Sequence, residues 1–270
     1  MNRLNNLSYI INCLTAEDER LSAMPLPSSL DDRQRLMRAL LNIREPKPVS
    51  EDFLKAQDAE LQLQKEDKGV VAFADIANNR LENGRKRASS TFALYLWQGD
   101  ITRLQVDAIV NAANSQMLGC FQPLHNCIDN AIHSAAGVEL RLECSSIMQK
   151  LGREAYAGEA IITKGYNLPA KYVIHTVGPI IADGMPTRGQ EMQLANCYRH
   201  NLELANEKQL KSIAFCCIST GVFMFPQRRA AEIALASVEA WLEAHSESSV
   251  KTVVFNVFKD SDYAIYKSLC

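Results

Sequence analysis

The chain has no apolar run long enough to span a bilayer. It also lacks a GxxxxGK[ST] phosphate loop and any excess of basic charge, with 29 Lys and Arg against 31 Asp and Glu and a net charge of −2. The first absence argues against a membrane-spanning protein and the second against a P-loop NTPase. The third leaves no broad basic surface, so duplex nucleic acid is not an expected partner. The opening residues, MNRLNNLSYIINCL, carry one basic residue, interrupted apolar positions and no small-residue cleavage site, so no secretory leader is expected. Without one, the eight cysteines read as reduced thiols in a cytoplasmic protein rather than as a disulfide framework.

What is present is a 270-residue chain, 47% hydrophobic, long enough for one large domain or two smaller ones. Residues 1–88 read as a polar-amphipathic helical extension. Leu4, Leu7, Ile10, Ile11 and Leu14 fall on one helix face, and Thr15 is a candidate N-cap for a following helix over Ala16–Leu21. Ser29 opens a second helix with Leu36, Leu40 and Ile43 on its stripe, ended by Pro46 and Pro48. A third runs from Ser50 to Lys65. The basic stretch Asn83–Arg87 marks the boundary, and residues 89–270 form a second unit. There the pattern alternates strands (Phe92–Trp97, Val106–Val110, Ala160–Thr163, Tyr172–Val177, Ser212–Cys217, Thr252–Val257) with helices, the spacing of an α/β layered domain. Pro226 is placed just inside a helix that follows it.

The densest chemistry lies in Gly119–Asn130, GCFQPLHNCIDN. Cys120, His125 and Cys127 place two thiols and an imidazole within eight residues. These are zinc ligand types, and three of them leave a fourth tetrahedral position open, as catalytic sites do. Asp129 follows two residues later. Other polar groups sit after strands. Asp100 suits a helix cap or a base-reading carboxylate, and Asn114 in the loop Asn111–Asn114 suits a turn or a sugar hydroxyl. Ser219-Thr220-Gly221-Val222-Phe223, just before a helix, has the form of an anion cradle. His133 and His175 read as packed histidines, and Cys144 as a core or surface cysteine.

From Leu96 onward the chain resembles macrodomains, ADP-ribose-binding α/β modules. The segments that carry the likeness are WQGDIT (97–102), VDAIVNAANS (106–115), IDNAIHSAAG (128–137), YVIHTVGP (172–179) and ISTGVFMFP (218–226). Where most catalytic macrodomains have a glycine run after the NAAN segment, this chain has the longer Gly119–Cys127 loop. That departure and the helical extension resemble the zinc-dependent branch of protein-ADP-ribose hydrolases, sometimes linked to a sirtuin-type ADP-ribosyltransferase. The resemblance implies a three-layer α/β/α fold with a mixed central sheet, and a hydrolase removing mono-ADP-ribose from protein side chains. It implies one Zn²⁺ per chain on Cys120, His125 and Cys127. Asp100 and Ile101 would meet adenine, Asn114 the distal ribose, and Ser219, Thr220, Gly221, Val222 and Phe223 the diphosphate and distal ribose. Asp129, with Asn114, would act in catalysis. Met224 stands where glycine is frequent in the family. Two alternatives remain: a non-catalytic ADP-ribose-binding module with structural zinc, and a deacylase or phosphatase of free ADP-ribose derivatives.

Overall fold

A computed structural model describes residues 2–81 and 92–270; the basic stretch Asn83–Arg87 and the boundary at 88/89 lie outside the described residues. Three helices come first: α1 (Arg3–Ala16), α2 (Leu30–Ile43) and α3 (Glu51–Lys68). Ser29 and Ser50 cap α2 and α3 by accepting from the backbone N–H three residues on, with acidic residues in both first turns. Thr15 does not start a helix. α1 runs through it, and Asp18 instead caps a short 3₁₀ turn at Glu19–Leu21. The buried stripe of α2 is Met37, Leu40 and Leu41, whereas Ile43 is exposed. These helices share a core of Leu7, Ile10, Ile11, Leu14, Met37, Leu40, Phe53 and Leu61. Across it Glu60, fully buried, accepts from Arg3, Gln34 and Gln64, so its charge is paired rather than stranded.

The rest of the chain runs β1 (Val71–Ala72), α4 (Phe73–Ile76), β2 (Ala93–Gln98), β3 (Leu104–Gln105), β4 (Ala108–Ala113), α5 (Ile128–Ala136), α6 (Val138–Leu151), β5 (Ala160–Lys164), β6 (Tyr172–Val177), α7 (Arg188–Glu207), β7 (Ser212–Phe215), α8 (Gln227–Ala244), β8 (Thr252–Val257) and α9 (Asp260–Leu269). The main sheet has the order β2-β8-β7-β4-β6-β5 and is parallel except for the antiparallel edge pair β5–β6. Alternation along the strands assigns the two faces. Asn111 and His175 point at α5 and α6, touching Asp129 and Cys144. Phe215 and Phe255 point at α7 and α9, against Tyr198 and Tyr266. The result is the three-layer α/β/α arrangement with a mixed sheet, preceded by a helical part. No helix among the described residues is long and apolar enough to cross a membrane.

Several boundaries differ from the sequence reading, three of them beside the sheet's C-terminal edge. β4 extends to Ala113, so Asn111 lies inside the central strand and not in the loop after it; its amide nitrogen donates to Asp129 Oδ1 and faces His175 Nδ1, while its oxygen is buried without a partner. β7 stops at Phe215, leaving Cys216 and Cys217 to start the crossover. Pro226 is the N-cap of α8 rather than its first residue.

Candidate active site and metal-binding loop

The parallel strands present their C-terminal ends along one edge, where ligands of such sheets bind. Gly99-Asp100 leaves β2, Asn114 leaves β4, Gly178 leaves β6, Ser219 follows β7, and Phe258 leaves β8. A cleft of about 730 Å³ opens there between the sheet edge and the N-terminal helices. Asp100, Ile101, Cys127, Ile128 and Phe258 line one side; Arg35, Arg38, Lys65 and Lys68 of α2 and α3 line the other. With Arg103 and Lys259, six cations among the described residues line the cleft against one carboxylate, Asp100. Opposite charge concentrated in a cleft attracts anionic ligands. None of Ser219–Phe223 lines this cleft.

Asp100 is a cap: its Oδ1 accepts from Thr102 N at 3.0 Å and Thr102 Oγ1 at 2.7 Å. Its Oδ2 stays open to the cleft, 3.8 Å from Lys68 Nζ. Phe258, 71% exposed, lines the cleft; the sequence did not single it out because one aromatic after a strand carries no pattern.

The Gly119–Asn130 stretch brings its three donor groups together. Cys120, His125 and Cys127 are half-buried, with their ligand atoms all within 4.8 Å of one another, and Cys120 Sγ lies 3.5 Å from His125 Nδ1. Burial pushes the Cys127 thiol up to about 12, the neighbouring Cys120 adding to the rise. Cys127 is also the N-cap of α5, accepting from Asn130 N at 3.4 Å, where the helix dipole favours negative charge. This donor set, S₂N at ligand spacing with access from the cleft, fits Zn²⁺. Gly119 is required here: its φ is +84°, and a Cβ would sit 2.8 Å from the His133 ring.

Asn114 is engaged in its own turn. Its Oδ1 accepts from Gln116 N and Met117 N, and its Nδ2 donates to Gly119 O, all at 3.1 Å. It thereby sets the entry to the Gly119–Cys127 loop. Asp129 faces inward and is 5% exposed. It accepts from Asn111 Nδ2 at 2.7 Å, and burial pushes its carboxyl up to about 6, with Asn111 and Arg141 opposing the rise. Beneath it lies a second group whose ligand atoms also fall within 4.8 Å, His133, Cys144 and His175, all buried.

The Ser219–Phe223 loop is tightly turned. Ser219 adopts φ +65° and Met224 φ +54°, left-handed values that cost about 1 kcal/mol or more each in a non-glycine residue. The requirement at 224 explains why glycine is frequent there in the resembling family. Phe225 N donates to Ser219 O and Met224 N to Gly221 O. Ser219 Oγ is buried without a partner, and Gly178 lies so close that a Cβ there would meet this oxygen at 1.9 Å. A buried hydroxyl without a partner at a strand's C-terminal edge is suited to a ligand oxygen.

Comparison with known proteins agrees with this geometry. The Macro domain family model matches residues 110–234. A curated protein-ADP-ribose hydrolase of Treponema medium is 48% identical over 261 residues, covering 97% of this chain and 96% of that protein. A probable bifunctional ADP-ribose hydrolase/ADP-ribosyltransferase of Fusarium oxysporum f. sp. cubense is 44% identical over 243 residues, which cover 87% of this chain and 40% of that longer protein. The crystal structure of the Trypanosoma brucei macrodomain in complex with ADP-ribose is 31% identical, with a TM-score of 0.64 and coverage of 82% of this chain and 91% of that one. The chain belongs to the macrodomain family.

Proposed function

We propose that this chain is a zinc-dependent hydrolase that releases mono-ADP-ribose from modified protein side chains. Two things support the reading: nearly full-length similarity to a protein-ADP-ribose hydrolase, and the observation that carries the metal part, three convergent soft donors at the sheet edge. In this reading Cys120, His125 and Cys127 hold one zinc ion. When bound, zinc would polarise a ribose hydroxyl or the leaving oxygen, or lower the pKa of a water to about 7.

The chain's own residues bind and orient. Asp100 Oδ2, with the Ile101 backbone beside it, accepts from the adenine amino group while Phe258 offers a face for stacking. Ser219 Oγ and the turn through Thr220, Gly221, Val222 and Phe223 hold the diphosphate and distal ribose without lysine, through close-approaching backbone and a following helix N-terminus. Asn114 contributes at the distal ribose by fixing Gly119 and the turn before it. Asp129, with its carboxyl raised to about 6 by burial, handles a proton near neutral pH. We extend the proposal to a cytoplasmic setting, where thiol ligands stay reduced, and to a sirtuin-type ADP-ribosyltransferase as the enzyme that attaches the group; the Fusarium relative pairs hydrolase with transferase in its name.

The test is release of ADP-ribose from a mono-ADP-ribosylated protein, by the intact protein, by Cys120→Ala and Cys127→Ala, and after chelation. Full activity without metal would remove zinc from the chemistry. Tight ADP-ribose binding with no turnover on any linkage would make the domain a reader. Turnover confined to acylated or phosphorylated free ADP-ribose would change the substrate. Asp129→Asn separates the proton role: activity falls while metal affinity holds, whereas unchanged activity leaves the chemistry to the loop alone.

A further inference from the structure

The metal-binding loop has no regular secondary structure between β4 and α5, so something else must hold His125 near the two cysteines. The N-terminal helix α2 does this through a closed ring of polar contacts. Asn42, 1% exposed, accepts from Leu124 N at 3.0 Å through Oδ1 and donates through Nδ2 to Ser134 Oγ at 2.9 Å. Ser134 Oγ donates to Asn130 Oδ1 at 3.3 Å. Asn130 Oδ1 also accepts from Arg38 Nη2 at 2.7 Å and Nε at 3.2 Å. Arg38 Nη2 reaches His125 O at 3.4 Å, and Asn130 Nδ2 donates to Gln122 O at 3.0 Å. The loop's backbone is thus gripped at 122, 124 and 125, on both sides of Pro123 and immediately before the imidazole. Leu124 needs the grip, because it adopts φ +54°, a left-handed conformation that a leucine keeps only when its surroundings impose it.

From this ring we propose that the N-terminal helical extension is the positioning scaffold of the metal site, with Asn42 and Arg38 as positioning residues that set its affinity by orienting the His125 limb. The inference rests on the reading of Cys120, His125 and Cys127 as metal ligands. Removing groups that orient metal ligands lowers metal affinity by about 10- to 100-fold. Asn42 and Arg38 make no hydrogen bond to a sulfur or to the imidazole, so their effect passes through the loop backbone at Leu124 and His125 and through Asn130.

The experiment titrates the metal-free full-length chain with zinc against a chromophoric chelator, and separately with cobalt(II), reading the ligand-field and thiolate-to-cobalt absorption. Asn42→Ala and Arg38→Ala should each weaken zinc binding at least tenfold and distort the cobalt spectrum. Asn42→Asp keeps the acceptor for Leu124 N but loses the donor to Ser134 Oγ, and should bind zinc more tightly than Asn42→Ala. Arg33→Ala serves as the control. Arg33 anchors α2 to Pro27 O, Leu4 O and Ser8 Oγ and touches no loop residue, so it should lower stability without changing the cobalt spectrum. Affinities of Asn42→Ala and Arg38→Ala within twofold of the parent, with an unchanged spectrum, overturn the proposal and leave the metal site standing. A parent chain that binds no metal overturns both.

Discussion

Two clusters of thiols and imidazoles bring their ligand atoms together in this protein, and they differ in burial and in access to the cleft. Cys120, His125 and Cys127 are half-buried beside a cleft, and His133, Cys144 and His175 are fully buried, yet both bring their ligand atoms within 4.8 Å. The difference is in what their lone pairs already do. Asn111 Nδ2 donates to Asp129 Oδ1 and lies 3.1 Å from His175 Nδ1. An ionised Asp129 requires the nitrogen of the amide there, so its second hydrogen makes His175 Nδ1 an acceptor. His175 Nε2 then carries the proton and donates to Thr163 Oγ1 at 3.0 Å, and Thr163 passes its own hydrogen to Val173 O. No lone pair of His175 is left for a metal. Burial raises the Cys144 thiol well above its usual range, with Asp129 adding to the rise. Proximity alone does not make a metal site; open lone pairs and an entry path do.

The largest effect that sharpens this contrast is the joint change Cys120→Ala with Cys127→Ala. It should abolish stoichiometric zinc binding and reduce hydrolysis by at least about 100-fold, measured by metal analysis and ADP-ribose release. Cys144→Ala should leave zinc at one per chain; a drop in stoichiometry would make the buried cluster a ligand set after all. Gly119→Ala tests the packing between the clusters. A Cβ 2.8 Å from His133 at φ +84° should cost about 3 kcal/mol of stability, read by denaturant unfolding, from backbone strain and overpacking together.

A smaller effect is the acid response of the buried cluster. Burial holds the His175 pKa down to about 3, from 6.5. Below pH 6.5 the unfolded chain takes a proton that the folded chain refuses, so stability is full above that pH and lost as pH falls toward 3. The loss from this group is at most about 1.4 kcal/mol per pH unit. His175→Gln should flatten that limb of a pH-stability curve. An unchanged slope would mean that His175 is not held neutral. Smallest is Asp107. Burial pushes its carboxyl up, but Lys171 and the backbone N–H groups of Lys211 and Ser212 outweigh this and hold it below its usual value. Its stabilisation is present above the ordinary carboxylate pKa and fades as pH falls through the folded value. Asp107→Ala should cost about 2 kcal/mol at neutral pH, seen by denaturant unfolding, and less in acid.

The parts legible in the sequence were those with local signatures. Ser29 and Ser50 announced helix starts, alternation announced the strands, and Cys120-x₄-His125-x-Cys127 announced the convergence of two thiols and an imidazole because all three lie in one segment. What stayed hidden depends on distant residues. Asn111 was read as loop because asparagine is unusual inside a buried strand, and only its partnership with Asp129 on α5 permits it there. Asn42 and Arg38 looked like ordinary polar positions on an amphipathic helix, since nothing within α2 signals a contact to residues more than eighty positions away. Thr15 misled because a good cap residue inside a continuing apolar stripe is overruled by packing. His175, read as a packed histidine, is buried, and Cys144, read as core or surface, is buried too; no spacing linked them.

The most direct test of the account is turnover of a mono-ADP-ribosylated protein by the metal-free chain before and after one equivalent of Zn²⁺. The account predicts negligible release without metal and full release at one zinc per chain. Equal release in both states would contradict it.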